Sequence, residues 1–567
     1  MKIRKYGKKL LALMLALSLS MGVLPVFADE EEPTEETTDA EEVIVDDGEQ
    51  RNNGQDQLEI VFNEVVNEEV ETLNLVVDES KVICHPTADW YGISDGTTGE
   101  VWGNANSYYE KDGKGPDGLK MNTEFVESFK NSNSNLSVAR YGGTWANYAD
   151  WKKSANKNWA YRQPYTAMYW DIGYESAESD ALTIVDFCKT FLAINKDIEF
   201  HICVNMTTDT EIDVADLVEF LEGDGIINYN GGENWAQKRI EMGLEEPLKN
   251  VCYELGNEIE WSHNIKRRDW TKENYVAVAR RFIAAIRSVN EDAHISALTP
   301  CAMWSRSGDD WSEWHRYILM ELGDQIDVLD FHAYNAYRQA YVTAITVKSV
   351  IEDIKNVTDS DRIKIFQSES SSSSNTGIRY GYKSLAFGIN ITDYYYRLMS
   401  LPGDMFDGAA WHSITNYFRD VNNPARDDFA LTVQQWDGSY INVPIGEARD
   451  FLSRYGVGES LQMELDGYVF DEPSWVSGAV VRQDGKINVL LTNLSEVNDY
   501  QINLEFNGKY KPVHSYVMTA PKLTSVVYRT VNNIEIKETD YDTNEAIDKF
   551  LLKSKSMVCL QLEPINE

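Results

Sequence analysis

Two glutamates directly follow apolar segments of the sequence, at positions where a carboxylate could do chemistry. Glu258 comes after VCYELG and the amide of Asn257, and Glu369 comes after IKIFQS. The interval between them fits three strand–helix units, which would put them on the fourth and seventh strands of an eight-stranded barrel, facing across its pore. Cleavage of a glycosidic bond needs two facing carboxylates. One is protonated and supplies the leaving oxygen, and the other is ionised and attacks the sugar carbon or activates water.

Other polar and aromatic side chains end the segments that the pattern predicts as barrel strands. In chain order they are Arg140, Asn205, His332, Tyr334, Trp411 and His412. An arginine and a tyrosine near Glu369 would keep that carboxylate ionised through charge and hydrogen bonding. Tryptophans near strand ends could stack on sugar faces, and the candidates are Trp145, Trp261, Trp304 and Trp411. Of the 15 tryptophans, only Trp475 lies after residue 460.

Short apolar segments alternate with helical patterns between residues 86 and 460, which predicts an α/β fold. Tyr275, Val278, Phe282 and Ile286 recur at helical spacing, with Thr271 as a candidate cap. Eight strands are predicted, near residues 90–93, 137–141, 198–205, 250–256, 294–299, 326–332, 363–368 and 406–411. We therefore expect a closed (β/α)8 TIM barrel over 86–460. The alternative is an open doubly wound sheet, but that fold has a glycine-rich phosphate turn directly after its first strand, and no such turn directly follows residues 90–93.

The pattern of apolar and polar residues in the sequence changes after residue 460. Residues 461–567 read as short strands with almost no helical pattern, which predicts a C-terminal β-sandwich. Residues 57–85 also read as strands, although they precede the barrel segment. We expect these N-terminal strands to join the sandwich.

The first residues have the three parts of a secretory signal peptide. Basic residues precede the apolar run LLALMLALSLSMGVL, and Val26-Phe27-Ala28 resembles a cleavage site. The pattern predicts a signal peptide over 1–28 and a secreted, extracellular protein, with a membrane anchor as the alternative. Residues 29–56 are acidic and poor in apolar groups, so a disordered spacer is expected there.

Composition narrows the range of partners. The 567 residues include 52 basic and 92 acidic ones, a formal net charge of −40. Such a surface repels phosphate backbones and anionic membranes, so neither nucleic acid nor, after signal cleavage, a membrane is an expected partner. HExxH and CxxC motifs do not occur, and the sequence predicts no metal ion and no cofactor. The six cysteines are expected as buried thiols, with a Cys84–Cys559 bridge as the alternative.

At these residues the chain resembles the retaining glycoside hydrolases of clan A, most closely the heparanase and β-glucuronidase family. The similar segments are VARYGGTWANY, YELGNEIEW and IFQSESSSSS. The resemblance implies retention of configuration, with Glu258 as the acid/base and Glu369 as the nucleophile. It also implies that Asn257 bonds the sugar 2-hydroxyl, that Arg140 supports the nucleophile and that Tyr334 contacts it. A carbohydrate is then the expected partner, and the oligomeric state stays open.

The sequence departs from that family just after the predicted nucleophile. Members that hold a uronic acid have a Tyr-Gly-Gly stretch there, whereas this chain has Ser374, Asn375 and Thr376. We therefore predict a neutral glycoside rather than a sulfated glycosaminoglycan. The α-L-arabinofuranosidase family has the same barrel, sandwich and Gly-Asn-Glu, and is the nearest alternative among enzymes. A non-catalytic carbohydrate-binding protein on the same fold is the alternative of another class.

Overall fold

The structure is a computed structural model, and it describes most of the chain from residue 58 onwards. The described residues are 58–63, 70–96, 109–111, 119–121, 123–132, 135–147, 151–152, 184–259, 270–299, 310–372, 383–412, 431–435, 439–528 and 531–565. The predicted signal peptide 1–28 and spacer 29–56 lie outside these residues, as do Trp261, Trp304 and the segment 374–376.

Eight parallel strands close into a barrel. The strands up to residue 442 are β1 (Glu71–Cys84), β2 (Gly92–Gly96), β3 (Tyr109–Lys111), β4 (Leu119–Met121), β5 (Val138–Gly142), β6 (Glu199–Val204), β7 (Val251–Leu255), β8 (His294–Leu298), β9 (Val328–Asn335), β10 (Lys364–Ser372), β11 (Phe406–His412), β12 (Thr432–Gln434) and β13 (Tyr440–Asn442). The barrel takes β2 and β5 to β11 in chain order, and β11 pairs with β2 to close it. Each of the eight predicted strand segments overlaps one of these strands, so the barrel prediction is confirmed.

Helices cover the outside of the barrel. They are α1 (Thr123–Ser132), α2 (Ile184–Ile194), α3 (Glu211–Glu222), α4 (Trp235–Glu241), α5 (Lys272–Arg287), α6 (Asp310–Leu322), α7 (Ala340–Thr358), α8 (Leu385–Met399) and α9 (Pro444–Tyr455). In α5 the predicted apolar stripe is buried, and the Thr271 side chain caps the helix by accepting from the Asn274 N–H. Period-3.6 spacing thus turns one face of the helix towards the strands.

The barrel interior is apolar at its lower end, where the strands begin, and polar towards the carboxyl ends of the strands. A small buried cluster fills the lower end with Val138, Cys252, Val328, Phe366 and Ala410. Side chains alternate along a strand, so the residues two and four positions further on face the same interior. In this way the sequence of each strand carries polar groups from the interior towards the carboxyl ends.

The remaining strands build the predicted sandwich, apart from two short ones. They are β14 (Glu459–Leu465), β15 (Val476–Gln483), β16 (Lys486–Asn493), β17 (Tyr500–Glu505), β18 (Tyr510–Thr519), β19 (Val527–Tyr528), β20 (Val531–Asn532), β21 (Glu535–Asp540), β22 (Lys549–Leu552) and β23 (Ser556–Pro564). Of these, β19 and β20 form a separate two-stranded sheet. The order in the nine-stranded sheet is β21-β18-β23-β16-β15-β14-β1-β17-β22. Val517 of β18 and Phe550 of β22 share one apolar core although they lie near opposite ends of this order, so the sheet folds over itself.

The N-terminal strand joins this sheet, as predicted. β1 pairs antiparallel with β14 and parallel with β17. Helix α8 lies between the barrel and the sandwich, because its Arg397 donates to the carbonyls of Val469 and Phe470 at 2.8 and 2.6 Å. At the other end of α8, the Leu385 N–H donates to the carbonyl of Ser525 at 2.9 Å.

The described cysteines are buried free thiols, including both Cys84 and Cys559. The alternative of a bridge between these two residues is therefore wrong in this structure. Among the described residues, no helix is both long enough and apolar enough to cross a membrane.

Candidate active site

Glu258 lies at the carboxyl end of β7, where the backbone leaves regular geometry. Gly256 has φ of +88° and Glu258 itself has φ of +48°. A non-glycine residue in this left-handed region is uncommon, and such conformations concentrate at functional sites. The turn leaves the Glu258 side chain partly exposed, at 24%, so one carboxylate at this end of the barrel is open to solvent.

A bulge in β10 aims Glu369 into the barrel. Phe366 faces the interior, so strict alternation would also turn Ser368 inwards and Glu369 outwards. In the pairing with β9, however, the register shifts between Gln367 and Glu369, which lie opposite Phe331 and His332. An extra residue of this kind re-aims the side chains that follow it. Glu369 consequently faces the same interior as His332, and its side chain is only 8% exposed.

Arg140 on β5 ties both ends of the site together. It is fully buried. Its Nη1 donates to Glu369 Oε1 at 2.9 Å, and its Nη2 donates to Asn257 Oδ1 at 2.8 Å. Its Nε donates to Glu254 Oε2 at 2.7 Å, while Nη2 also bonds Glu254 Oε1. A guanidinium whose donors are used in this way holds its acceptors in fixed positions.

Three groups on the strand ends surround the carboxylate of Glu369. Burial alone would raise the pKa of Glu369. Nearby positive charges outweigh burial and hold this pKa well below its usual value. The charge of His332 has the largest effect among them, and the charge of Arg140 lowers the pKa further. The Tyr334 hydroxyl donates to Glu369 Oε2 and lowers the pKa further. Glu369 is therefore ionised at neutral pH.

His332 lies between the two carboxylates. Its Nδ1 is 2.8 Å from Glu258 Oε1 and 3.5 Å from Glu369 Oε2. Burial would lower the pKa of His332, but the charge of Glu369 and the hydrogen bond with Glu258 raise it to about 9. A carboxylate oxygen of Glu258, a ring nitrogen of His332 and a carboxylate oxygen of Glu369 all lie within 4.8 Å of one another. The two carboxylates therefore approach each other to within that distance.

The same three residues have the types that could hold a cation. His332 Nδ1 instead makes a 2.8 Å hydrogen bond with Glu258 Oε1, so this nitrogen carries a hydrogen and has no lone pair to give a metal. The two carboxylates then share the positive charge of His332 rather than that of an ion.

Most of the other predicted site residues lie around this centre. Asn257 is buried beside Arg140, and its backbone N–H donates to Asn147 Oδ1 at 3.1 Å. Asn205 ends β6 and accepts from the N–H groups of Thr207 and Thr208 at 3.1 and 3.0 Å. Asn205 thus orders this loop. The Thr207 hydroxyl of the same loop donates to the Asn147 carbonyl, and Asn147 in turn accepts from Asn257 of the site.

The tryptophans are placed differently. Trp411 is fully buried and stacks on Tyr395 of α8 with ring centroids 4.9 Å apart. It faces the helix layer, because Ala410 before it occupies the barrel interior. The structure therefore keeps Trp411 out of the site. Trp145 lies in a short 3-10 helix, Thr144–Asn147, directly after β5.

Sequence reasoning missed two polar groups of the site, Glu254 and Asp330, and gave no specific role to His412. Glu254 is fully buried on β7, two residues from the interior Cys252, and holds Arg140. His412 follows Trp411 and lies close enough to Glu369 to lower its pKa. Asp330 on β9 accepts from Ser296 Oγ at 2.6 Å, and burial and the charge of Glu254 raise its pKa to about 7. The signal was available, because each lies an even number of residues from an interior position of its strand.

Removal of the Glu254 charge should destabilise the barrel. We expect Glu254→Gln to lower the free energy of unfolding by about 3 kcal/mol or more, because Arg140 stays buried with one charged partner fewer. Urea denaturation followed by circular dichroism measures this. The control is Glu313→Gln on α6, whose exposed pair with Lys272 should be worth less than about 1 kcal/mol. Equal losses in the two variants would contradict the role given to the Glu254–Arg140 pair.

The pH dependence of stability should carry the signature of His332. Its pKa in the folded protein, about 9, lies above its ordinary value of 6.5, so the folded state binds the proton more tightly. The resulting stabilisation is complete below about pH 6.5 and is lost as pH rises through about 9. Melting temperatures between pH 6 and 10 should therefore converge for the wild type and His332→Gln. His85→Gln, which makes the same change at an exposed histidine, is the control. A difference in melting temperature between the wild type and His332→Gln that does not change with pH would contradict the assignment.

Comparisons with known proteins bear on this site. No family model matches the chain. A similar curated protein is the intracellular exo-alpha-(1->5)-L-arabinofuranosidase of Acetivibrio thermocellus, which is 23% identical over 179 residues. The match covers 32% of this chain and 33% of the relative, so the chain spans about a third of the length of the curated protein it matches.

Solved structures extend the likeness to the whole fold. The GH51 arabinofuranosidase from Xanthomonas axonopodis pv. citri superposes with a TM-score of 0.67 at 15% identity. The thermostable GH51 alpha-L-arabinofuranosidase from Thermotoga petrophila RKU-1 superposes with a TM-score of 0.68 at 17% identity. Each match covers 87% of this chain and 100% of the other. The chain resembles clan A glycoside hydrolases. The clan A resemblance predicted from the sequence is thereby confirmed, and the three relatives named above are arabinofuranosidases, the family expected as the nearest alternative, rather than heparanases or β-glucuronidases.

Proposed function

We propose that this chain is a retaining glycoside hydrolase. The observation that carries the proposal is the pairing of Glu369 with Glu258. Glu369 is ionised and held by Arg140 and Tyr334, and Glu258 is partly exposed and lies opposite it. One group is thus kept as a base and nucleophile, and the other can exchange a proton with a ligand.

The distance between the carboxylates supports retention. Retaining enzymes place their two carboxyl groups about 5–5.5 Å apart, whereas inverting enzymes need about 6.5–9.5 Å to admit a water. Here a pair of oxygens comes within 4.8 Å. That spacing favours direct attack by Glu369 on the sugar carbon.

In the first step, Glu369 attacks the anomeric carbon while the bond to the leaving oxygen breaks. Glu258 and His332 hold a proton between them across their 2.8 Å contact, and Glu258, the more exposed of the two, passes it to the leaving oxygen. The product of this step is a glycosyl ester of Glu369. Arg140 and Tyr334 hold the carboxylate oxygens in place, so little reorganisation is needed as charge moves.

In the second step, Glu258 acts in the opposite direction. Now ionised, it takes a proton from a water that attacks the same sugar carbon, and the ester bond to Glu369 breaks. The sugar leaves with its original configuration, because two displacements on one carbon cancel. Asn257 is suited to bind the sugar, since its side-chain Nδ2 is buried and has no partner among the described residues.

We propose a neutral sugar as the substrate, with an α-L-arabinofuranoside as the first candidate. The net charge of −40 disfavours a polyanion. The two solved structures and the curated relative are all named as arabinofuranosidases, and the post-nucleophile segment lacks the tyrosine that would favour a uronate. We also propose that the protein is exported, on the pattern of its first 28 residues, although that relative is named intracellular.

A panel of aryl glycosides tests this function. We expect turnover of 4-nitrophenyl α-L-arabinofuranoside in preference to the matching β-glucuronide, β-glucoside, β-xyloside and β-galactoside, with Glu369→Gln as the inactive control. Turnover of the glucuronide alone would move the protein to the β-glucuronidase alternative. Binding of oligosaccharides without turnover of any glycoside would favour the non-catalytic alternative.

A further inference from the structure

Trp475 is an exposed aromatic side chain beside the start of β15 in the sandwich. It stands directly before β15 and is 46% exposed. The Leu494 N–H donates to its carbonyl at 2.9 Å, so the backbone beneath the ring is fixed. It is also the tryptophan that stands apart from the others in the sequence. An indole exposed in this way presents a flat apolar face that a ligand could cover.

The barrel holds one face of this ring. The guanidinium carbon of Arg338 lies 3.5 Å from the centroid of the Trp475 ring. Arg338 is itself fixed, because it has φ of +56° and its N–H donates to Asn390 Oδ1 of α8 at 2.7 Å. A cation stacked on an indole at this distance restrains the ring. Since one face is covered, the exposed area lies on the other face and edge, and the ring is a flat surface held in place.

The position of Arg338 puts this surface on the catalytic side of the barrel. Arg338 lies four residues after Tyr334, whose hydroxyl bonds Glu369. Four residues span at most about 14 Å. The Trp475 ring lies one arginine side chain and a 3.5 Å contact beyond that backbone span, which an oligosaccharide of several sugars, bound by its end at Glu369, can reach.

We propose that the free face of Trp475 binds a sugar ring of a neutral polysaccharide, as a subsite remote from the point of cleavage. Aromatic rings present an apolar face that matches the apolar face of a sugar. Asp471 and Glu472, exposed on the same loop, disfavour an acidic polymer. Together with the proposed hydrolysis at Glu369, on which this inference rests, the subsite would make the protein prefer long chains to short ones.

A protein partner fits this surface less well. The other exposed apolar side chains of the sandwich include Val497 at 80% and Val469 at 45%, which are single side chains on separate loops. A tryptophan contributes about 150–250 Å², whereas a stable protein interface buries about 800 Å² on each partner. The size of the surface suits a sugar.

The test compares a polymer with a small substrate. Trp475→Ala should raise KM for soluble 1,5-α-L-arabinan by about 2- to 12-fold, the equivalent of a lost aromatic contact of roughly 0.5–1.5 kcal/mol. It should leave kcat on arabinan and both constants for 4-nitrophenyl α-L-arabinofuranoside unchanged. Trp475→Phe should restore most of the affinity, and Val497→Ala is the matched control for loss of exposed apolar area. An unchanged KM for arabinan, or an equal change on both substrates, would overturn the proposal.

Electrophoresis of the full chain in gels containing arabinan or xylan separates this inference from the proposed function, because it needs no turnover. Retardation of the wild type that is lost in Trp475→Ala supports the subsite, even if every aryl glycoside proves inert and the hydrolase proposal fails. Retardation equal in the two proteins overturns the subsite, whatever the activity. A change from dimer to monomer in Trp475→Ala with unchanged retardation would also overturn it, by assigning the ring to contact between two copies.

Discussion

Replacement of Glu369 by glutamine is expected to abolish turnover of every glycoside that the protein cleaves. The amide has nearly the same shape as the carboxylate, and its oxygen can still accept from Arg140 while its NH2 group donates to the Tyr334 hydroxyl oxygen, but it cannot form the glycosyl ester. Loss of a nucleophile from a group of residues that act as a unit costs about 10⁴-fold or more in kcat. The loss should be the same for good and poor leaving groups, because the missing step is the attack itself. Initial rates on 2,4-dinitrophenyl and 4-nitrophenyl α-L-arabinofuranoside measure it.

Glu313→Gln again provides the matched control, since it makes the same chemical change on an exposed glutamate of α6 and should keep full activity. The melting temperature of Glu369→Gln shows whether the fold survives the loss of one charged partner of Arg140. A folded Glu369→Gln protein that keeps more than a tenth of the wild-type rate on both substrates would contradict the assignment of the nucleophile.

Replacement of Glu258 by glutamine should act differently on the two kinds of leaving group. General acid catalysis contributes about 10²–10⁴-fold, so hydrolysis of arabinan, whose sugar leaving group must be protonated, should fall by that factor. A dinitrophenolate leaves without a proton, so formation of the glycosyl ester from that substrate should continue. Its hydrolysis should then become slow, because Glu258 is also the base of the second step. A burst of dinitrophenol followed by a slow phase, seen by stopped-flow absorbance, is the expected result.

A small nucleophile that needs no base should restore the second step. Azide should therefore accelerate the slow phase of Glu258→Gln, and should do nothing for Glu369→Gln. If the two variants lose activity in the same proportion on arabinan and on the dinitrophenyl substrate, the division of roles between the two glutamates is wrong.

Much of the fold could be predicted because its periodicities are strong. Each barrel strand is a short apolar segment followed by a helical stripe, and the buried stripe of α5 follows its sequence pattern closely. The strand β1 was harder, since its partners β14 and β17 lie about 380 to 430 residues further along the chain. Its alternation indicated a strand, but not the order in which it enters the sheet.

The candidate site was less predictable for reasons that lie in the geometry of strand ends. The register shift in β10 reverses the direction of Glu369 relative to Phe366, and nothing in IKIFQSES marks the extra residue. Trp411 was expected at the site from its position alone. Side chains alternate along β11, however, so Ala410 faces the barrel interior and Trp411 packs against α8. Glu254 was overlooked because a charged residue inside an apolar strand becomes intelligible only beside its partner, Arg140.

The most direct measurement of the central claim is the identity of the residue that becomes glycosylated. Glu258→Gln, mixed with 2,4-dinitrophenyl α-L-arabinofuranoside and quenched in acid during the slow phase, should carry one sugar residue per chain by intact mass. After peptic digestion, fragmentation should place that sugar on Glu369 within IFQSESSSS. A sugar on another carboxylate, such as Glu254 or Asp330, or burst turnover with no covalent adduct at all, would contradict a double displacement through Glu369.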